Sequence, residues 1–135
     1  MTVVWSLTEL EAVLRECWDE RTCDPSDTWD AGNPAGGHCS VTAMAVAELL
    51  GGVLLCSEVF RPDGERAGLH YWNRLPSGLE LDLTREQFRD GEQFGPVSAH
   101  APIRRPGARM ATRYDIFASR VRARLGGSVP QGIPA

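Results

Sequence analysis

A chain of 135 residues with 42% hydrophobic residues can bury one respectable core, and its length leaves no room for a second domain of ordinary size. The net charge is −4 and all 14 basic residues are arginine; seven lie from His100 onward against a single acid, Asp115, so that segment carries +6 and the first 99 residues −10. No stretch approaches the roughly 18 apolar residues of a helical membrane span, and the opening MTVVWSLTELEAVL lacks a charged leader with an apolar segment and cleavage site, so a soluble, cytoplasmic protein without a membrane partner is expected.

Ser6 followed by Glu9 is a capping-box pattern, and Leu7, Leu10, Leu14 and Cys17 or Trp18 then repeat at helical spacing, which predicts a first amphipathic helix over about residues 7–20. From Thr22 to Gly37 the composition turns to Asp, Pro, Ser, Gly and Asn, with Trp29 the one large apolar residue: a long irregular approach of the kind that is usually functional or disordered. Cys39 to Leu50 is apolar on nearly every side and closes with Gly51-Gly52, the pattern of a central buried helix with a glycine stop. Val53 to Phe60, Leu69 to Leu75 and Leu79 to Leu83 are short, rich in branched and aromatic residues and separated by turn sequences, so they read as antiparallel strands. Thr84 with Gln87 repeats the capping pattern and predicts a short helix ending near Arg89. A loop to Arg109 follows, and Met110, Tyr114, Phe117, Val121 and Leu125 mark one face of a last helix. The expectation is a single α+β domain over residues 1–125, N-terminal helices packed on a small antiparallel sheet, with a flexible tail over 126–135.

The chemistry points to Cys39. A helix N-terminus favours a thiolate through its free N–H groups and positive dipole end, and the glycine-rich lead-in NPAGGHC places Cys39 there. A nucleophilic thiol needs an imidazole to take its proton and a third polar group to orient that imidazole. In GLHYWNRL, His70, Trp72 and Arg74 share one strand face; in LELDL, Glu80 and Asp82 share another. If the turn around Pro76-Ser77-Gly78 pairs Leu75 with Leu79, Trp72 lies opposite Asp82 and His70 becomes its diagonal neighbour, about 7 Å away between Cβ atoms. The register thus yields a His70 and Asp82 pair, and with Cys39 as nucleophile the expected triad is Cys39, His70 and Asp82. Competing readings stay open: a cysteine is often simply packed in a core, and Asp82 can instead cap the helix that begins at Thr84.

Cysteine before histidine before aspartate, with HYW and LDLT, resembles the transglutaminase-like and arylamine N-acetyltransferase branch of the papain-like fold, in which a cysteine helix packs on an antiparallel sheet carrying the other two residues. NPAGGHCSVTA, the glycine pair after the helix, HYWNRLPSG and LDLTREQF are similar to the bacterial YunG-like family over roughly residues 29–90. That family usually has Gln before the cysteine, where this chain has His38, and papain-like enzymes place a Gln near the position of Asn33. The resemblance therefore implies oxyanion donors at the Cys39 backbone N–H and at Asn33 or His38. Trp29 and Trp72 are candidates to line the substrate cleft, with core packing as the alternative.

Four cysteines and three histidines invite a metal, but Cys17 and Cys23 are separated by five residues and His38 and Cys39 are adjacent, neither being zinc-ligand spacing; no metal and no cofactor is expected. The thiols are expected reduced, with Cys17 and Cys56 in apolar patterns and Cys23 on a polar loop. Arg104, Arg109, Arg113, Arg120 and Arg124 read as the solvated side of a loop and helix, and with a pI of about 5.3 nucleic acid is not an expected partner. The expected function is acyl transfer through a cysteine nucleophile, hydrolysing an amide or thioester or acylating an amine, on a small-molecule, peptide or carrier-bound acyl substrate. A non-catalytic binding module on the same scaffold is the alternative.

Overall fold

The computed structural model describes residues 5–102 and 107–126, and the expected tail beyond Gly126 lies outside the described residues. The architecture is α+β, three helices with a curled antiparallel sheet. Helix α1 spans Leu7–Glu16 and opens with the expected capping box, Ser6 Oγ accepting from the Glu9 N–H and the Glu9 carboxylate accepting from the Ser6 N–H. It stops short of the expected residue 20. Trp18 leaves the helical path to donate from its indole to Thr42 Oγ1 at 3.0 Å, and Asp19 turns to engage Thr22.

Helix α2, Cys39–Leu50, has the expected bounds. Apart from its ends and Glu48 it is buried all round, because α1 and α3 (Ala108–Leu125) cover one side and the sheet the other. Phe117, Val121 and Leu125 of α3 meet Leu10 and Leu14 of α1 in the same apolar cluster. Gly52, at φ +90°, is obligatory at the exit of α2: a Cβ there would lie 2.1 Å from the Arg74 carbonyl oxygen.

Strand β1, Val53–Phe60, pairs with β2, Arg66–Arg74, and β2 pairs with β3, Glu80–Leu81. The turn register is the expected one, since the Leu75 N–H donates to the Leu79 carbonyl at 2.8 Å and Asn73 faces Leu81. Strand β3 is shorter than expected, two residues instead of five, because the chain turns away at Asp82 and Leu83 drops into the helical core. The expected helix after Thr84 is a single 3-10 turn, Arg85–Gln87, without a side-chain cap. Within the predicted loop two further strands form, β4 (Gln93–Phe94) and β5 (Ser98–His100), which share the outer edge of β1. They cover backbone groups that a bare edge strand would leave open.

The uneven charge has a structural use. Arg113, Arg120, Arg122 and Arg124 of α3 face Asp24, Asp19, Glu48 and Glu16 of the acidic N-terminal part. Among the described residues, no helix is long and apolar enough to cross a membrane.

Candidate active site

The loop from Thr22 to Gly37 folds back on the start of α2, the Asp24 N–H donating to the Gly37 carbonyl at 2.9 Å. Gly37 has φ +76°, and a Cβ on it would lie 2.4 Å from the buried Cys23 Sγ. The glycine-rich lead-in is thus a packing requirement as well as a conformational one. Cys39 follows as the first residue of α2, half-buried, its thiol directed at the Leu69 carbonyl at 3.9 Å.

The position of that carbonyl explains the site. Leu75 donates toward Leu79, so by the alternation of an antiparallel strand Asn73, Tyr71 and Leu69 also turn their backbone groups to the β3 side. Strand β3 pairs only with Asn73 and Arg74. The edge at Leu69 and Tyr71 is left open, and the sulfur sits in that notch beside the backbone that carries His70. Burial, with the carboxylates of Asp82, Asp24 and Asp27, outweighs the hydrogen bond from the Tyr71 N–H and pushes the thiol up to about 11.

His70 and Asp82 are brought together as the register required. Nε2 of His70 lies 2.7 Å from Asp82 Oδ2, and the ring is 1% exposed. The other carboxylate oxygen, Oδ1, accepts from the Thr84 N–H at 3.2 Å and the Thr84 hydroxyl at 3.4 Å, a local turn and not the expected cap of the following helix. Since an ionised carboxylate only accepts, Nε2 carries the proton and Nδ1 of a neutral ring is an acceptor. Nδ1 is buried and has no hydrogen-bond partner among the described residues, and the sulfur of Cys39 is not bonded to it. Trp72 stacks on the imidazole with centroids 5.3 Å apart and planes at 17°, and Phe88 meets it edge-on at 4.7 Å. Phe94, half exposed, closes on both rings. The arrangement can hold a neutral imidazole in one tautomer with its basic nitrogen unengaged.

The remaining expected site residues lie apart from this cluster or serve the scaffold. His38 does not offer the expected oxyanion donor. Its ring is fully buried and stacked on Trp18, with Nε2 2.8 Å from Thr22 Oγ1 and 3.2 Å from the Asp19 carbonyl, and Nδ1 3.1 Å from the Gly36 carbonyl. Asn33 donates from Nδ2 to the Gln87 carbonyl at 3.2 Å, tying the approach loop to the segment after β3, while its Oδ1 has no partner among the described residues. Trp29 is half-buried, its indole nitrogen without a partner among the described residues, and Trp72 donates to Glu80 at 3.0 Å besides covering the imidazole. Cys23 is buried rather than on an open loop, and all four cysteines are free. Among the described residues no three His, Cys, Asp or Glu side chains gather into a metal-ligand set.

Sequence reasoning missed the walls and the floor. Phe88 and Phe94 approach His70 through a segment that reads as a loop, and Ser57 stands directly across from His70 on β1. Only the Ser57 position had a usable signal, since it follows from the β1–β2 register once the intervening turn is counted.

Comparison with known proteins identifies the family of the chain. The chain is 23% identical over 111 residues to a protein of Bacillus subtilis (strain 168) described as "Uncharacterized protein YunG", an alignment that covers 82% of this chain and 84% of the relative. No solved structure matches. The family model for the YunG protein matches residues 6–126, from the capping box of α1 to the glycine that ends α3, and the chain belongs to the YunG family.

Proposed function

We propose that this protein is a cysteine-nucleophile acyl-transfer enzyme, with a core of the transglutaminase-like, papain-like kind. Cys39 attacks the carbonyl of an amide or thioester, His70 takes the thiol proton and returns it to the leaving group, and Asp82 holds the imidazole in the tautomer this requires. The acyl group then passes to water or to an amine. The substrate is a small-molecule, peptide or carrier-bound acyl donor, and the setting a reducing cytoplasm, in keeping with four free cysteines.

One observation carries the reading: a buried imidazole is held by a carboxylate at 2.7 Å through one nitrogen while the other, the basic one, has no partner among the described residues. A purely structural histidine satisfies both nitrogens, as His38 does. The test is intact mass after incubation with an activated thioester. A single acyl adduct at Cys39 is expected, absent from Cys39→Ser and strongly slowed in His70→Ala; equal modification of accessible thiols in all three proteins would rule the reading out.

A second reading, a binding module that retains the scaffold without turnover, is favoured by the thiol lying at about 11 and by the inward turn of His38. It predicts no adduct at Cys39 under the same conditions.

A further inference from the structure

We propose that Trp72 is a positioning residue of this site: its indole, held by Glu80, is the wall against which His70 becomes an imidazolium. The inference rests on the acyl-transfer reading, which supplies the proton. His70 and Trp72 are two residues apart on β2 and so share a sheet face. Two residues of strand rise set such side chains about 6.6 Å apart. Their ring centroids are 5.3 Å apart with planes at 17°, so the rings lean together into a stack. The indole face turned to the imidazole is occupied by it, and a substrate cannot use that face.

The lean has a cause on the neighbouring strand. Trp72 is half-buried, and its Nε1–H donates to Glu80 Oε1 at 3.0 Å. Glu80 faces Arg74 across the β2–β3 ladder and reaches Trp72 diagonally, on the same sheet face. A bond at the far end of the indole fixes both of its side-chain torsions, so the face offered to His70 is set from β3. That short strand begins with Glu80, which holds the imidazole by its face through Trp72, and the residue that follows the strand, Asp82, holds it by its edge at Nε2.

Stacking engages the face of the imidazole and leaves the in-plane lone pair of Nδ1 free for the proton. When that proton moves, the S–H bond of Cys39 breaks, an N–H bond forms at Nδ1, and a residue only 1% exposed carries a positive charge out of reach of water. Asp82 answers the charge in the ring plane. Trp72 answers it on the face, since indole has the strongest cation–π attraction of the aromatic side chains. Phe88, Phe94 and, across β1, Ser57 are neutral; the charged groups are Asp82, the new thiolate and, behind Trp72, Glu80. The cation gains more from the indole than the neutral ring does, so the contact speeds the proton transfer without tightening substrate binding.

The test is single-turnover acylation of Cys39 by an activated thioester, read as a limiting rate and a half-saturating concentration. Trp72→Leu lowers the limiting rate about fivefold, equivalent to about 1 kcal/mol, with the half-saturating concentration unchanged, and Trp72→Phe, which keeps an aromatic face, recovers part of the loss. Glu80 is exposed, so its variants leave the core intact: Glu80→Ala lowers the limiting rate, and Glu80→Gln, which keeps an acceptor, restores it. Proton NMR reads the stack itself, the ring protons of His70 moving downfield in Trp72→Leu and Glu80→Ala as the shielding face of the indole is removed or turned. A wild-type limiting rate in Trp72→Leu overturns the proposal, and so does a loss confined to the half-saturating concentration, which makes Trp72 a lining of the substrate cleft. Wild-type rate and resonances in Glu80→Ala overturn the part given to Glu80. If His70→Ala is acylated as fast as wild type, the acyl-transfer reading has failed; a slow His70→Ala beside an undiminished Trp72→Leu overturns this proposal alone.

Discussion

A thiol held at about 11 separates a proton-transfer site from an inert one through the pH dependence of its acylation. The perturbation is His70→Ala, and the observable is the rate of acyl-enzyme formation at Cys39 between pH 7 and pH 10. Without a base, the nucleophile is whatever thiolate exists at equilibrium, about one molecule in ten thousand at pH 7 and about one in ten at pH 10, so the variant rate climbs about a thousandfold over that range. With His70 accepting the proton inside the complex, the rate no longer depends on the equilibrium thiolate population. The wild-type profile therefore levels off, and the ratio of wild type to variant is largest at neutral pH and shrinks toward pH 10. Stopped-flow release of a chromogenic thiol, with intact mass to locate the adduct, measures both curves. A wild-type rate that climbs in parallel with the variant refutes the argument, since the imidazole then contributes nothing to deprotonating the sulfur.

Asp82→Ala leaves Nε2–H of the buried His70 without its acceptor and should cost about 1–3 kcal/mol in urea unfolding, toward the lower end because Asp82 is itself partly exposed and water can reach the gap. Gly37→Ala places a Cβ on Cys23 Sγ at a positive φ and should cost about 2 kcal/mol or more; adding Cys23→Ala should recover part of that, the clash but not the backbone strain, and full recovery would contradict the strain component. His38 is held below its ordinary value of 6.5 chiefly by burial, with hydrogen bonds to the Pro34, Asp19 and Gly36 carbonyls opposing. The folded protein therefore binds this proton less readily than the unfolded chain, so the stability associated with neutral His38 is complete above about pH 6.5 and is lost as pH falls from there toward the folded value. Urea midpoints between pH 7.5 and pH 5 should fall in wild type and fall less in His38→Gln, and parallel slopes would remove His38 from the account.

What could be read from the sequence was what local chemistry decides. Helix α2 was bounded correctly because a glycine-rich lead-in, an apolar run and a glycine pair mark both of its ends, and Ser6 with Glu9 fixed the start of α1. The pairing of His70 with Asp82 followed from a tight turn and the two-residue period of a strand, with no long-range knowledge needed. What escaped depends on contacts made only when distant segments meet. Trp18 abandons the helical pattern because Thr42, far along the chain, offers its indole an acceptor. His38 looks exposed and polar beside a cysteine, yet Thr22 and the Asp19 and Gly36 carbonyls satisfy it in the interior, and those partners appear only once the approach loop has folded back. Strands β4 and β5 are two and three residues long in a stretch broken by proline and glycine; they exist because the edge of β1 needs partners, a demand invisible in their own residues.

The same dependence on distant chain explains why the thiol reaches the backbone beside His70 at all. Had β3 continued along β2 past Leu81, its backbone would have occupied the edge at Leu69 and Tyr71, and the first turn of α2 would have had no opening in which to set Cys39. The strand ends where Asp82 finds two better uses for its carboxylate than the solvent face of a longer strand, one oxygen on His70 and the other on Thr84. Arg85 reinforces the departure by donating to the Asp82 carbonyl at 2.6 Å. Truncation of the strand, opening of the notch and orientation of the imidazole are therefore consequences of one residue's bonding, and a change at Asp82 would disturb all three together. A histidine paired to a carboxylate merely for packing would not need an open sheet edge beside it. In the proposed acyl-transfer reading the base for the thiol needs that opening, and the edge at Leu69 and Tyr71 supplies it.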